Sequence, residues 1–322
     1  MKNTKNWMLA LSSVLYLLSA TCYAKVQTIT IEHGGLQRSF ILFIPQTITA
    51  NLKSPVVFNF HGGGGRAEGY RAYTKMDATA EKYKFIVVYP DGTGQYKNRL
   101  LTWNAGSCCA YANKNKIDDV GFVRKIIKQL PKYAKIDKTR IYATGFSNGG
   151  MMSYRLALEL PDKIAAIASV AGSMHVEEFN PRRVIPIMHI HSVDDPRALY
   201  HGGLGPTFPL TNYRVEHRDV QEVMDLWSEN NGCRKGPYLY KNLEFKTKEG
   251  TQRAEKWAFT ACTGRAQVVH WKLSEVGHVW PGGKQDVMTD LLGASTRLVN
   301  ANELIWKFFS QYRLPDKRVQ SH

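Results

Sequence analysis

Apolar residues fall along this chain in two rhythms. Residues 26–31 and 36–44 alternate, with Phe40, Leu42 and Ile44 on one face and His33-Gly34-Gly35 at the turn between them. That pattern predicts an antiparallel hairpin. Short unbroken apolar runs follow at 56–60, 85–89, 140–144, 164–170, 183–191 and 266–273. They predict strands buried on both faces, as in parallel sheets. Between them the spacing turns helical, at 70–84, 117–133, 151–160, 220–229 and 296–312. Phe122, Ile126, Ile127 and Leu130 share one helical face, and Leu304, Ile305, Phe308 and Phe309 share another. Asp118 and Asp119 read as a helix cap and a complement to its dipole. Residues 237–248 and 254–260 read as extra strands. Strands alternating with helices imply an α/β fold with a mostly parallel central sheet and helices on both faces. No repeat or low-complexity linker divides it, so 25–322 reads as one domain. The stretch 197–216, rich in Gly, Pro and Tyr, reads as a cap or cleft loop.

The first residues break the rhythm. Lys2 and Lys5 precede an apolar run from 7 to 20, and Thr21-Cys22-Tyr23-Ala24 follows. This is the layout of a signal peptide, residues 1–24, cleaved after Ala24; an acylated Cys22 is the alternative. The run is too short for a membrane span. The expected location is secreted or periplasmic. The chain has 322 residues and a formal net charge of +16, which becomes +14 once the two leader lysines leave. The basic residues are dispersed, without a basic run or a nucleic-acid motif, so no nucleic-acid partner is expected. A monomer is expected. Cys108, Cys109, Cys233 and Cys262 remain after cleavage. Cys233 and Cys262 suit each other, and closing their loop would stabilise the fold by ~3–4 kcal/mol on a chain-entropy account. The adjacent Cys108 and Cys109 either bond to each other or need distant partners. No cysteine or histidine spacing suits a metal, and no cofactor is expected.

Candidate chemistry sits at the ends of the apolar runs. Gly145-Phe146-Ser147-Asn148-Gly149 lies between a predicted strand and a predicted helix, the context in which Gly-x-Ser-x-Gly exposes a nucleophile. The Asn148 amide, at the helix start, would face an oxyanion. The run at 56–60 delivers His61-Gly62-Gly63-Gly64-Gly65. Glycine loops let backbone amides approach a substrate closely, so Gly63 and Gly64 are the other oxyanion candidates. A phosphate cradle would want Lys-Ser or Lys-Thr next, and Arg66-Ala67 follow. The run at 183–191 ends at Asp194-Asp195-Pro196, and the last run ends before Gly277-His278. The order is nucleophile, acid, histidine, and all three would meet at the carboxyl edge of a parallel sheet. His189, His191 and His270 lie inside strands and read as structural.

With these residues in view, the chain resembles the secreted polyhydroxybutyrate depolymerase and feruloyl-esterase-like branch of the α/β-hydrolases. The matching motifs are His61-Gly62-Gly63-Gly64-Gly65, Trp103-Asn104 with Cys108-Cys109, Asp118-Asp119-Val120-Gly121-Phe122, Gly145 to Met152, and Gly277-His278-Val279-Trp280-Pro281-Gly282. The resemblance implies hydrolysis of carboxylic esters through Ser147, His278 and Asp195, on small or oligomeric substrates, with His61, Trp103 and Trp280 about the substrate cleft. The family's acid usually stands in His-Gly-Thr-x-Asp-Pro. Here the turn is His191-Ser192-Val193-Asp194-Asp195-Pro196, which puts Asp195 in the acid's place. A peptidase or acyltransferase with the same triad, and a non-catalytic relative that binds a cell-surface or anionic partner, are the alternative readings.

Overall fold

Ten strands form one sheet in the order β1-β2-β4-β3-β5-β6-β7-β12-β11-β10. The structure, a computed structural model, describes residues 24–208, 211–248 and 250–315. The expected signal segment, Cys22 included, lies outside the described residues but for Ala24, as do positions 209 and 210 of the cap stretch. In chain order the strands are β1 Lys25–His33, β2 Leu36–Ile44, β3 Ser54–Phe60, β4 Ile86–Pro90, β5 Ile136–Phe146, β6 Ala166–Val170, β7 Ile187–Ser192, the short β8 Gly203–Leu204 and β9 Glu216–His217, then β10 Lys235–Lys246, β11 Thr251–Thr260 and β12 Val268–Ser274. The helices are α1 Ala67–Thr74, α2 Met76–Tyr83, α3 Ala110–Lys114, α4 Asp119–Gln129, α5 Asn148–Glu159, α6 Val220–Asn230, α7 Thr289–Leu292 and α8 Ala301–Phe309.

The six central strands, from β4 to β12, pair in parallel, and antiparallel strands close both ends. Burial explains the division. Every residue of β3, β4, β6 and β7 is buried, so these strands carry no polar stripe. β1 alternates between exposed and half-buried positions, and β10 is exposed almost throughout. Phe58, Phe60, Ile126 and Trp227 pack on the sheet face covered by α4, α5 and α6. Tyr70, Ala80, Ile305 and Phe309 fill the face covered by α1, α2 and α8. Each fully buried side chain of this size contributes about 1.5–3 kcal/mol. Truncating Phe58 to alanine would cost about 3–5 kcal/mol through lost contact and the cavity left behind.

Several elements depart from the reading of the sequence. The helix expected over 70–84 is two helices, because Lys75 takes a left-handed φ of 54° between them. The helix expected to run to Tyr133 ends at Gln129, where Pro131 carries no N–H to continue it and a short 3-10 turn follows. The last helix begins at Ala301, capped by Asn300, whose side chain accepts from the Glu303 amide at 3.1 Å. Asp118 does cap α4, accepting from the Gly121 amide. Asp119 does something else: it is wholly buried, takes a hydrogen bond of 2.7 Å from Arg38 and accepts from the Asn104 amide at 2.8 Å. A buried carboxylate needs such partners, and Asp119 thereby ties β2, through Arg38, and the irregular segment, through Asn104, to the start of α4. Cys233 pairs with Cys262, joining the end of α6 to the end of β11, and Cys108 pairs with Cys109.

Candidate active site

Ser147 stands on the turn between β5 and α5 with φ 54° and ψ −122°. That backbone is costly for any residue with a Cβ, and it persists because its surroundings leave no alternative. Gly149 must be glycine, because a Cβ there would run into the Phe60 carbonyl on the neighbouring strand. A Cβ on Gly145 would meet the Gly149 carbonyl at 2.5 Å. The strand, the turn and the helix thus interlock through missing side chains, and Ser147 is pushed out of the sheet edge.

Asn148 is buried, and its side chain clamps the backbone of one residue of the preceding loop, Trp103. Its Oδ1 accepts from Trp103 N at 2.7 Å, and its Nδ2 donates to Trp103 O at 3.1 Å. Its backbone amide, at the first turn of α5, makes no hydrogen bond among the described residues. The glycine loop approaches from β3. Gly64 N donates to Leu101 O at 2.8 Å, so that amide is spent and the expectation that Gly64 serves an oxyanion is corrected. The Gly63 amide has no such partner among the described residues.

The turn that carries Asp194 and Asp195 follows β7. Asp195 is 4% exposed, and its Oδ2 accepts from His278 Nδ1 at 2.7 Å. Its Oδ1 accepts from the amides of Arg197 and Ala198, both at 2.8 Å. Burial alone would raise this carboxyl. The adjacent His278 ring and hydrogen bonds from His191 and His278 outweigh burial and hold it well below the usual carboxylate range. Asp194 is exposed and serves the turn instead, accepting from the Glu275 amide at 2.7 Å. The His278 ring lies 4.5 Å from that of Phe146.

Ser147, Asn148 and His278 all line one cavity of about 460 Å³. Its walls are mostly apolar, from Leu100, Met151, Phe208, Tyr213, Leu291 and Leu292. The loop expected to cap the cleft does reach it, through Arg197, Phe208 and Tyr213. The Phe208 ring lies on the glycine loop, 3.0 Å from where a Cβ on Gly63 would stand. Three expected cleft residues are not on the cavity wall. His61, Trp103 and Trp280 are each at most 1% exposed. His61 Nε2 accepts from the Gly92 amide at 3.0 Å, its Nδ1 donates to Gly62 O at 2.8 Å, and burial lowers its pKa to about 4. Trp103 Nε1 donates to His61 O at 2.9 Å, and Trp280 Nε1 donates to Asn302 Oδ1 at 3.0 Å. They form the layer beneath the cleft. Leu291 and Leu292 come from α7, which no periodicity announced. Phe208 and Tyr213 lie within the 197–216 stretch expected as a cap or cleft loop, where no motif singles them out.

Among the described residues no cluster of His, Cys, Asp and Glu could hold a metal ion, and no helix is long and apolar enough to cross a membrane. A mostly parallel sheet covered on both faces by helices, with Ser147 on the turn after β5 and Asp195 on the turn after β7, is the architecture of an α/β-hydrolase. A solved acetyl xylan esterase from Aspergillus awamori shares this fold, with a TM-score of 0.56 and 14% identity over 89% of this chain and 99% of that one. The chain belongs to the esterase PHB depolymerase family, whose profile matches residues 38–224. It is 27% identical to feruloyl esterase B of Piromyces equi, over 86% of this chain and 46% of that protein. It is 30% identical to a bifunctional acetylxylan esterase/xylanase of Neocallimastix patriciarum, over 56% of this chain and 24% of that protein. The chain therefore spans less than half the length of these curated relatives.

Proposed function

We propose that residues 25–322 act as a single-domain serine carboxylesterase exported from the cytoplasm by the leader at 1–24. The reading rests on one observation above all: His278, bonded to a buried Asp195 at 2.7 Å, lines the same cavity as the strained Ser147. His278 Nε2 takes the Ser147 proton as Oγ attacks the ester carbonyl. Asp195 holds the Nδ1–H tautomer and stabilises the imidazolium that forms. The amides of Asn148 and Gly63 receive the oxyanion, and each such donor typically lowers the barrier by ~3–4 kcal/mol. His278 returns the proton to the leaving alcohol, and a water then releases the acyl group by the same steps in reverse.

The cavity supports a substrate with a bulky apolar acyl group. A space of about 460 Å³ walled by Phe208, Tyr213, Met151 and two leucines of α7 suits a hydroxycinnamoyl or extended hydroxyalkanoyl group better than an acetyl group. The names of the relatives, feruloyl esterase and acetylxylan esterase, bracket the same choice. Turnover of p-nitrophenyl butyrate by the purified protein tests the chemistry. Activity is expected in the wild type and a loss of roughly 10⁴–10⁶-fold in Ser147→Ala. An inert wild type, or an equally active variant, would reject the reading. A panel of methyl ferulate, 3-hydroxybutyrate oligomers and acetylated xylan tests the acyl preference, with acetylated xylan expected to be the poorest.

A further inference from the structure

Behind Asp195 lies a chain of buried polar side chains that the triad does not account for. Tyr154 is on α5, two turns after the nucleophile. Its hydroxyl is 2.8 Å from His189 Nδ1. His189 Nε2 is 2.9 Å from His191 Nδ1. His189 and His191 stand two apart on β7 and so project from the same side of the strand. His191 Nε2 lies 2.8 Å from the Ala198 carbonyl and 3.3 Å from Asp195 Oδ2, the oxygen that also receives His278 Nδ1. All four side chains are buried, and Tyr154 and His189 completely so.

Chemistry at one end dictates every proton along the row. The Ala198 carbonyl and the Asp195 carboxylate can only accept, so His191 Nε2 must carry hydrogen and donate to both. With its one ring hydrogen at Nε2, His191 has a bare Nδ1, which accepts from His189 Nε2–H. His189 in turn has a bare Nδ1, which must accept from the Tyr154 hydroxyl. The row runs one way, donor to acceptor, from Tyr154 to Asp195. The reverse polarity would set a lone pair of His191 against two oxygens. The neighbouring histidines are not cationic competitors. Burial keeps His189 well below its ordinary value, and His270, whose ring meets that of His189 at 5.8 Å, is lowered to about 3. Burial also lowers His217, the ring across from His191 and Asp195, to about 4. Tyr200 presents its ring edge-on to His191 at 5.8 Å, and Lys272, the register partner of His191 on β12, has its ammonium 5.9 Å from the centre of the Tyr200 ring.

We propose that Tyr154, His189 and His191 form a one-way hydrogen-bonded brace that positions Asp195 for His278 and ties the acid to the helix that carries the nucleophile. The inference rests on the triad reading above. It makes these three positioning residues, since none lines the cavity. The brace closes a circuit. Ser147 begins α5, α5 carries Tyr154, the row crosses β7 to Asp195, and Asp195 holds His278 back over Ser147's cavity. A shift of the helix relative to the acid turn must break a hydrogen bond among buried groups. No proton travels along the row in this scheme. Its work is to hold the carboxylate charged and aimed, and to share its Oδ2 with His278 in a fixed direction.

Two substitutions at one position separate positioning from packing. His191→Phe keeps the ring volume and removes the donor. His191→Gln places an amide N–H near the lost Nε2–H. The phenylalanine variant is expected to lose about 10–100-fold in kcat with KM little changed, as when one hydrogen bond to a charged group is removed. The acidic limb of its kcat/KM profile moves to higher pH, because an Asp195 carboxylate with one donor fewer bears harder on His278. The glutamine variant recovers most of the activity and the wild-type limb. A phenylalanine variant with wild-type rate and profile, or a folded glutamine variant as impaired as it, would overturn the brace. Wild-type nitrogen-15 histidine spectra test it without a variant. His189 and His191 are expected to carry hydrogen at Nε2 and none at Nδ1, and an Nδ1–H at either position would reject the polarity. Loss of activity in Ser147→Ala stands apart from all of these outcomes, so failure of the brace and failure of the esterase reading are distinguishable.

Discussion

The two sides of the proposed active site are built from opposite materials. On the acid side, Asp195 receives four hydrogen bonds within a buried set of histidines and a tyrosine. On the acyl side, the glycine loop, Phe208, Tyr213 and α7 enclose the cavity with surfaces that hydrogen-bond little. Directional bonds fix the position of a charged group to a fraction of an ångström. Apolar walls set only size and shape, and they accommodate small changes at a cost of about a kilocalorie. The acid side should therefore answer to single-atom changes, and the acyl side to changes in volume.

The largest expected effect lies on the acid side. Asp195→Asn should lower kcat by about 10⁴-fold, since an amide favours the wrong imidazole tautomer. Asp194→Asn should stay within roughly threefold, because only one turn contact, to the Glu275 amide, depends on it. Steady-state kinetics on p-nitrophenyl butyrate checks both, and equal losses would erase the contrast.

Acid should also weaken the fold as a whole. Burial lowers His61, His175 and His217 to about 4 and His270 to about 3, from an ordinary value of 6.5. These groups stay neutral in the folded protein and take up protons on unfolding. Their contribution is fully present above pH 6.5 and is lost as pH falls from 6.5 towards 4. Each then subtracts on the order of 1.4 kcal/mol per pH unit. Urea midpoints at pH 7.5, 6 and 5 should fall steeply, and a flat series would contradict the neutral burial of these rings. On the acyl side, Phe208→Ala should cost about tenfold in kcat/KM for methyl ferulate and about twofold or less for p-nitrophenyl acetate. Equal losses on both esters would show that Phe208 shapes the catalytic loop and not the acyl wall. Smallest of all, Tyr213→Phe, which keeps the volume, should stay within about twofold on either ester.

The sequence was most legible where function needs a local backbone device. Ser147, Asp195 and His278 each follow an apolar strand, and each carries a turn signature of its own. Gly145 and Gly149 reveal their purpose because close approach leaves no room for a Cβ. What could not be read depends on three-dimensional neighbours. His61 and Trp103 stand beside the glycine loop in every sense but exposure, and their burial follows from how β3 and the segment before α3 pack. Asp119 looks like an ordinary first-turn acid until Arg38 arrives from 81 residues away. Lys75 breaks a helix by a backbone choice that its side chain does not advertise. The alternation of His189 and His191 was visible, but its meaning required Tyr154 from another element.

Asn148 carries a consequence for anyone who would rewrite this protein. The second variable letter of Gly-x-Ser-x-Gly looks open to exchange, since only its amide faces the cleft. Its side chain is in fact a latch, reading both the backbone donor and the backbone acceptor of a single residue, Trp103. Few side chains offer both functions at that reach, so a library randomised at 148 would be sampling loop registration as much as catalysis. Grafting this elbow into another scaffold would require the residue at 103 to travel with it.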